Sequence, residues 1–168
     1  VAARCRELAE ELGLVGTHVF FNEDWVRYED RADYLLDADV GASCHFLHVE
    51  TEFSFRTRIL DYLWAGLPIV ATEGDGFAEL IDAEGIGRTV PAEDVDALAD
   101  ALETMLVDTA AAADVRAAVE RVARSFTWPV VLEPLVEFCR APRRAADAAR
   151  WAGTAVDAPA PRTAAPSR

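Results

Sequence analysis

Phe53-Ser-Phe-Arg-Thr-Arg-Ile-Leu-Asp-Tyr-Leu-Trp-Ala-Gly-Leu-Pro-Ile-Val-Ala-Thr72 is the stretch from which the fold can be read. It predicts a helix that runs to Gly66, the residue type that most easily takes the left-handed turn ending a helix. Pro68 blocks any continuation, and the apolar run that follows it reads as a buried strand. The charge at the start of this helix points beyond architecture. Arg56 and Arg58 sit in the first turn, where the positive end of the helix dipole disfavours cations. An anion docked there would resolve the conflict, shared between the guanidinium groups and the N–H groups of Ser54, Phe55, Arg56 and Thr57. The plainer alternative is that both arginines are solvated or paired with Glu50 and Glu52, as weak surface pairs.

Outward from this block, helical and strand patterns alternate. Residues 1–12 read as a helix ended near Gly13 and Gly16, and His18-Val-Phe-Phe21 as a short strand. Tyr28 to Leu36 is helical, and Asp39 to Ser43 is a second strand of small residues. A long loop leads to the helix from Phe55 and the strand Ile69 to Thr72. A helix around Phe77 to Ile81, a strand at Arg88 to Val90 and an amphipathic helix from Asp94 to Val107 follow. The last places Val95, Leu98, Leu102, Met105 and Leu106 on its apolar side. Strands separated by helices of this length mean βα units. The fold class is therefore α/β, a Rossmann-like doubly wound parallel sheet covered on both faces. Ligands of such sheets bind outside the carboxyl ends of the strands. That edge should gather Asn22 to Trp25, the loop 44–57 and Thr72 to Gly76.

After Val107 the pattern is helical only: Ala110 to Arg124, then a helix start at Thr127-Trp-Pro129 and a helix through Val131, Leu135 and Phe138. The expected organisation is an α/β domain over 1–107, helices over 108–150 and a disordered tail over 151–168, rich in Ala and Pro. The chain opens on Val1 inside a helical pattern, which leads us to expect sequence upstream.

Composition limits the function classes. The chain has 168 residues, is 52% apolar and carries a net charge of -14, which argues against nucleic acid or an anionic membrane as partner. All 16 basic residues are arginine. Cys5, Cys44 and Cys139 are too widely spaced for a paired motif, so reduced thiols in a cytoplasmic protein are the simplest account. No stretch has the length and apolarity of a membrane span. Cys44-His-Phe-Leu-His48-Val-Glu50-Thr-Glu52 invites a metal reading, but no second Cys or His cluster exists to complete a set, and either the rim of a ligand site or a plain exposed loop accounts better for the two histidines. Gly74-Asp-Gly76 could cradle phosphate or form a plain strand-to-helix turn.

The block Asp61 to Thr72, followed by Gly76-Phe-Ala-Glu-Leu-Ile81, Gly85-Ile-Gly87 and Val90-Pro91, resembles the C-terminal, donor-binding half of group 1 GT-B glycosyltransferases (family 4). The upstream order Leu12-Gly-Leu, His18-Val-Phe-Phe and Leu36-Asp-Ala-Asp39-Val is similar too, so the resemblance covers about residues 1 to 107. It implies transfer of a hexosyl group from a nucleoside diphosphate sugar to an acceptor hydroxyl, with retention at the anomeric carbon and without a metal or other cofactor. In the family, two acidic residues spaced by seven others flank the donor. The second corresponds to Asp61, which would hold the ribose hydroxyls. The first falls on Phe53, which cannot fill the role, leaving Glu52 and His48 as the sugar-side candidates. The family's glycine-rich phosphate loop corresponds to Ser54, Phe55, Arg56 and Thr57, with arginine in place of a glycine and Arg58 next in line. Asn22, Trp25 and Val26 match the base-contacting stretch.

The resemblance places the acceptor domain and its catalytic groups upstream, so no catalytic residue is assigned here and this chain alone should bind donor weakly and be inactive. The implied location is the cytoplasm, with peripheral membrane contact of the full enzyme left open. The rival reading is a non-enzymatic α/β module that uses the same basic loop to bind an anion or a partner.

Overall fold

A computed structural model describes residues 2–22, 24–145 and 147. The chain divides into two compact units, residues 1–126 and 127–168. The first opens with α1 (Ala2–Glu11), then a 3-10 turn over Tyr28–Asp30 leads into α2 (Arg31–Leu36) and strand β1 (Gly41–Ser43). The crossover to β2 (Ile69–Thr72) carries a short helix α3 (Val49–Phe53) and then α4 (Thr57–Ala65). Helix α5 (Gly76–Glu84) leads to β3 (Gly87–Val90), which is followed by α6 (Val95–Val107) and α7 (Thr109–Ala123). The strands are parallel in the order β1-β2-β3, with Ala42 opposite Val70 and Val70 opposite Arg88.

All four residues of β2 are buried, as a central parallel strand requires. Alternation along the strand then sorts the core into two layers. Ile69 and Ala71 pack with Ile59, Tyr62 and Leu63 of α4, Phe77 and Ile81 of α5, and Val119 and Val122 of α7. Val70 faces the other way, toward Val90 and the α6 residues Ala101 and Met105. Each Val, Leu, Ile, Phe or Met side chain among them contributes about 1.5–3 kcal/mol when fully buried. Helices thus cover both faces, and the expected doubly wound α/β class holds.

Two glycines fix how closely the layers approach. A Cβ on Gly41 would lie 2.5 Å from the Tyr62 ring, and one on Gly87 would lie 1.8 Å from the carbonyl oxygen of Ile69. Tyr62 uses the first of these gaps to donate its hydroxyl to the carbonyl of Ala42 at 2.9 Å, pinning α4 to β1. Helix α4 ends at Gly66, which is left-handed at φ 72°.

Some expectations change. His18 to Phe21 forms no strand; a single bridge joins Val15 to Val19. The backbone of Val19 is spent locally, its N–H donating to Leu14 and its carbonyl accepting from Gly16, so the chain turns here instead of running extended beside β1. The long loop before α4 contains α3, and α4 begins at Thr57 rather than Phe55. On α6, Met105, Leu98 and Leu102 face the core as expected, whereas Val95 and Leu106 are exposed and Ala101 joins the buried line.

In the second unit, Thr127 precedes α8 (Trp128–Val131), Pro129 lies in its first turn, and α9 (Glu133–Arg140) follows with Pro134 at its start. The expected tail over 151–168 lies outside the described residues.

Candidate functional site

The carboxyl ends of the three strands feed the loops beginning at Cys44, Glu73 and Pro91. The first of these is built by local capping. His48 Nδ1 accepts the N–H of Glu50 at 3.1 Å and so starts α3. Thr51, buried on that helix, donates its hydroxyl to the carbonyl of Phe46 at 3.2 Å. The loop is tied to β2 by the N–H of His45, which donates to the Thr72 hydroxyl at 3.2 Å. Leu47 leans over Gly74, whose missing Cβ leaves it room.

Asp75 joins these loops. Its side chain is 5% exposed, and Oδ1 accepts the N–H groups of Phe77 and Ala78, both at 2.9 Å, capping α5. The other oxygen, Oδ2, lies 3.4 Å from Arg56 Nε and 3.5 Å from His45 Nε2. Both nitrogens are buried and lack a well-formed hydrogen bond, so the approach is electrostatic in character. Arg56 is held a second time, its Nη2 donating to Thr51 Oγ1 at 3.1 Å. Arg56, its side chain 29% exposed, is therefore not paired with Glu50 or Glu52; its counter-charge is an aspartate from another loop.

Arg56 is also the N-cap residue of α4 and gives that helix no side-chain cap. The amides divide. Ser54 N–H donates to Thr51 and Thr57 N–H to Phe55, so these two are committed. Those of Phe55, Arg56 and Arg58 find no acceptor among the described residues. Three N–H groups and a fixed guanidinium thus meet at one helix start, while the N-terminus of α5 is already closed by Asp75. An anion has one of the two helix starts open to it, that of α4.

Arg58 lies beside Tyr62. Burial raises the Tyr62 pKa above its ordinary value, with the Arg58 guanidinium opposing the shift and Asp61 and Cys44 adding to it. Asp61 sits on α4 with its side chain 31% exposed and pairs with Arg31 of α2 at 3.3 Å. Arg31 in turn stacks over Tyr28, its guanidinium carbon 4.6 Å from the ring centre. Asn22, Trp25 and Val26 come together around a hollow of about 290 Å³ that Tyr34 of α2 also lines. Trp25 is 94% exposed. Glu52 and Phe53 are exposed on α3, and His48 spends one ring nitrogen on its cap.

A second hollow, of about 250 Å³, opens above the strand ends between Cys44, His45, Phe46, Thr72, Pro91 and Glu93. Glu93 is strained there, with φ 64° in the region that favours glycine. Among the described residues no group of three His, Cys, Asp or Glu side chains clusters as a metal site would.

Sequence reasoning passed over Thr51 and Arg31, and it read Asp75 only as the middle of the Gly74-Asp-Gly76 turn. Asp75 carried a readable signal as a cap, an aspartate just before an apolar helical pattern. Nothing in the sequence told that its second oxygen meets Arg56.

A family model described as Glycosyl transferases group 1 matches residues 2–108. The chain belongs to the group 1 glycosyltransferases. Over 83 residues this glycosyltransferase chain is 32% identical to a phosphatidyl-myo-inositol mannosyltransferase of Mycobacterium leprae (strain TN). That match covers 49% of the chain and 22% of the relative. Sucrose-phosphate synthase from Thermosynechococcus elongatus superposes on 82% of the chain with TM-score 0.62 and 25% identity. The matched part is 33% of the synthase, so the chain spans well under half of either relative. The fold is the Rossmann-like α/β domain of a GT-B glycosyltransferase, and the general chemistry of the family is glycosyl transfer. No helix among the described residues is long and apolar enough to cross a membrane.

Proposed function

We propose that this glycosyltransferase domain binds a nucleoside diphosphate sugar and places its diphosphate at the start of α4. The observation that carries the reading is the open set of N–H groups on Phe55, Arg56 and Arg58, beside a guanidinium fixed by Thr51 and Asp75. Departure of a diphosphate needs donors already aimed at the developing negative charge, and a helix start with fixed cations supplies them without a metal. Ser54 and Thr57 shape the loop rather than bind, because their N–H groups are committed.

In this reading Asp61 exchanges its bond to Arg31 for the ribose hydroxyls, and Asn22, Trp25 and Val26 hold the base. Glu52 and His48 approach the sugar from α3. The transferred group is a hexose, the acceptor a hydroxyl, and the outcome retention, as the family resemblance implies. The acceptor is held by the other half of the GT-B fold, so the present chain alone binds donor without turnover. A relative named for mannosyl transfer to a phosphatidylinositol supports an enzyme that meets its acceptor at a membrane surface.

The test is calorimetric titration of the chain with UDP and with GDP, for the native sequence and for Arg56→Ala. One of the two nucleotides should bind, and the substitution should weaken it by about 1–3 kcal/mol, the range for hydrogen bonds to a charged group. If neither binds at millimolar concentration, the donor reading is lost and the non-enzymatic module takes its place.

A further inference from the structure

We propose that Asp75 is the positioning residue of the anion site, acting through Arg56. The proposal rests on the donor reading above and adds a residue that does not itself touch the donor. Three observations carry it. Asp75 is nearly inaccessible, yet its two oxygens serve different elements, Oδ1 the start of α5 and Oδ2 the side chains of Arg56 and His45. Arg56 has Nε against Asp75 and Nη2 on Thr51, which fixes the plane of the guanidinium and leaves Nη1 uncommitted among the described residues. Helix capping alone would not require this arrangement, since asparagine or serine caps a helix as well as aspartate does.

The chemistry gives the idea a sign. A buried carboxylate near an anion site repels the ligand, so its removal should tighten binding if Asp75 were only a neighbour. If Asp75 instead holds the guanidinium in its working plane, removal should weaken binding, because Arg56 then swings toward solvent and must be ordered again by the ligand. The two accounts predict opposite changes for one substitution.

Asp75→Asn is the suitable variant, because the amide oxygen still caps α5 while the charge is gone. Thr51→Val is the second, removing the other tether of Arg56 and leaving Asp75 intact. Each is titrated with UDP, GDP and inorganic pyrophosphate, alone and combined with Arg56→Ala. Exchange of the Arg56 Nε–H proton is followed by NMR. Either single variant should weaken binding about tenfold and speed that exchange, and neither should weaken it further once Arg56 is alanine. Tighter or unchanged binding in Asp75→Asn, or losses that add to that of Arg56→Ala, would overturn the proposal. Pyrophosphate binding with no contribution from either nucleoside would remove the donor reading and leave the positioning role to stand on the same cycle. Where no anion binds the native chain, slow Nε–H exchange that Asp75→Asn leaves unchanged counts against Asp75.

Discussion

An arginine at the start of a helix works against the dipole unless a negative charge offsets it. In this chain part of the offset is internal, for Asp75 faces Arg56 at 3.4 Å. The sequence made the misplaced cation visible but hid its partner, because the two residues belong to loops that only the parallel sheet brings together. The same holds for Asp61 and Arg31, while His48 is a local cap and was legible only as a rim residue. Tyr62 carries a residue-scale prediction. Burial raises its pKa above about 10, so above that pH the unfolded chain releases a proton that the folded chain keeps. The stability contribution is whole below pH about 10 and is lost as pH rises through the folded value. Urea midpoints measured from pH 8 to 11 should fall more steeply for the native chain than for Tyr62→Phe. The absence of lysine leaves few other groups titrating in that window. Equal slopes would show that Tyr62 does not carry the effect.

At the scale of elements, helix ends were easier to read than helix starts. Gly66 and Gly13, both expected as stops, take the left-handed conformation that ends a helix, at φ 72° and 66°. Starts depend on what supplies a cap. Helix α3 forms because His48 and Thr51 accept or donate bonds that a hydropathy pattern does not contain. The strand expected at His18 to Phe21 failed for the complementary reason, since an apolar run permits a strand but only pairing with a neighbour makes one. Close approach of β2 and β3 is equally invisible in a pattern, yet it fixes Gly87. A methyl group there would meet the Ile69 carbonyl at 1.8 Å, a contact with backbone that no rotamer change relieves. Gly87→Ala should therefore cost at least 1–3 kcal/mol, the usual range for overpacking, read as a drop in the urea midpoint at constant slope. A variant as stable as the native chain would mean that the strands can separate without penalty.

For the whole molecule, alternation of helices and strands was enough to give the α/β class and to bring the loop 44–57 to Thr72 and Asp75 at the strand ends, because both follow from the order of patterns. Asn22 and Trp25, by contrast, follow no strand and line a hollow of their own. The extent of the core did not follow. Ala110 to Arg124 is dominated by alanine and reads as a helix with little to bury, yet Val119 and Val122 are 0% and 4% exposed within the larger cluster, and Val115 packs against both clusters. Glu84 and Arg121 add an ion pair at 2.6 Å between α5 and α7. Burial of the two valines alone contributes roughly 3–6 kcal/mol. Set against a typical domain stability of about 5–15 kcal/mol, that is a large share. A chain ended after Val107 keeps nearly all of the family-like stretch but opens one face of the core. It should show no cooperative thermal transition by circular dichroism. A chain ended after Phe126 retains every residue of both clusters and should unfold cooperatively. Cooperative unfolding of the shorter chain would place α7 outside the folding unit and return the boundary to residue 107, where the helical-only pattern begins.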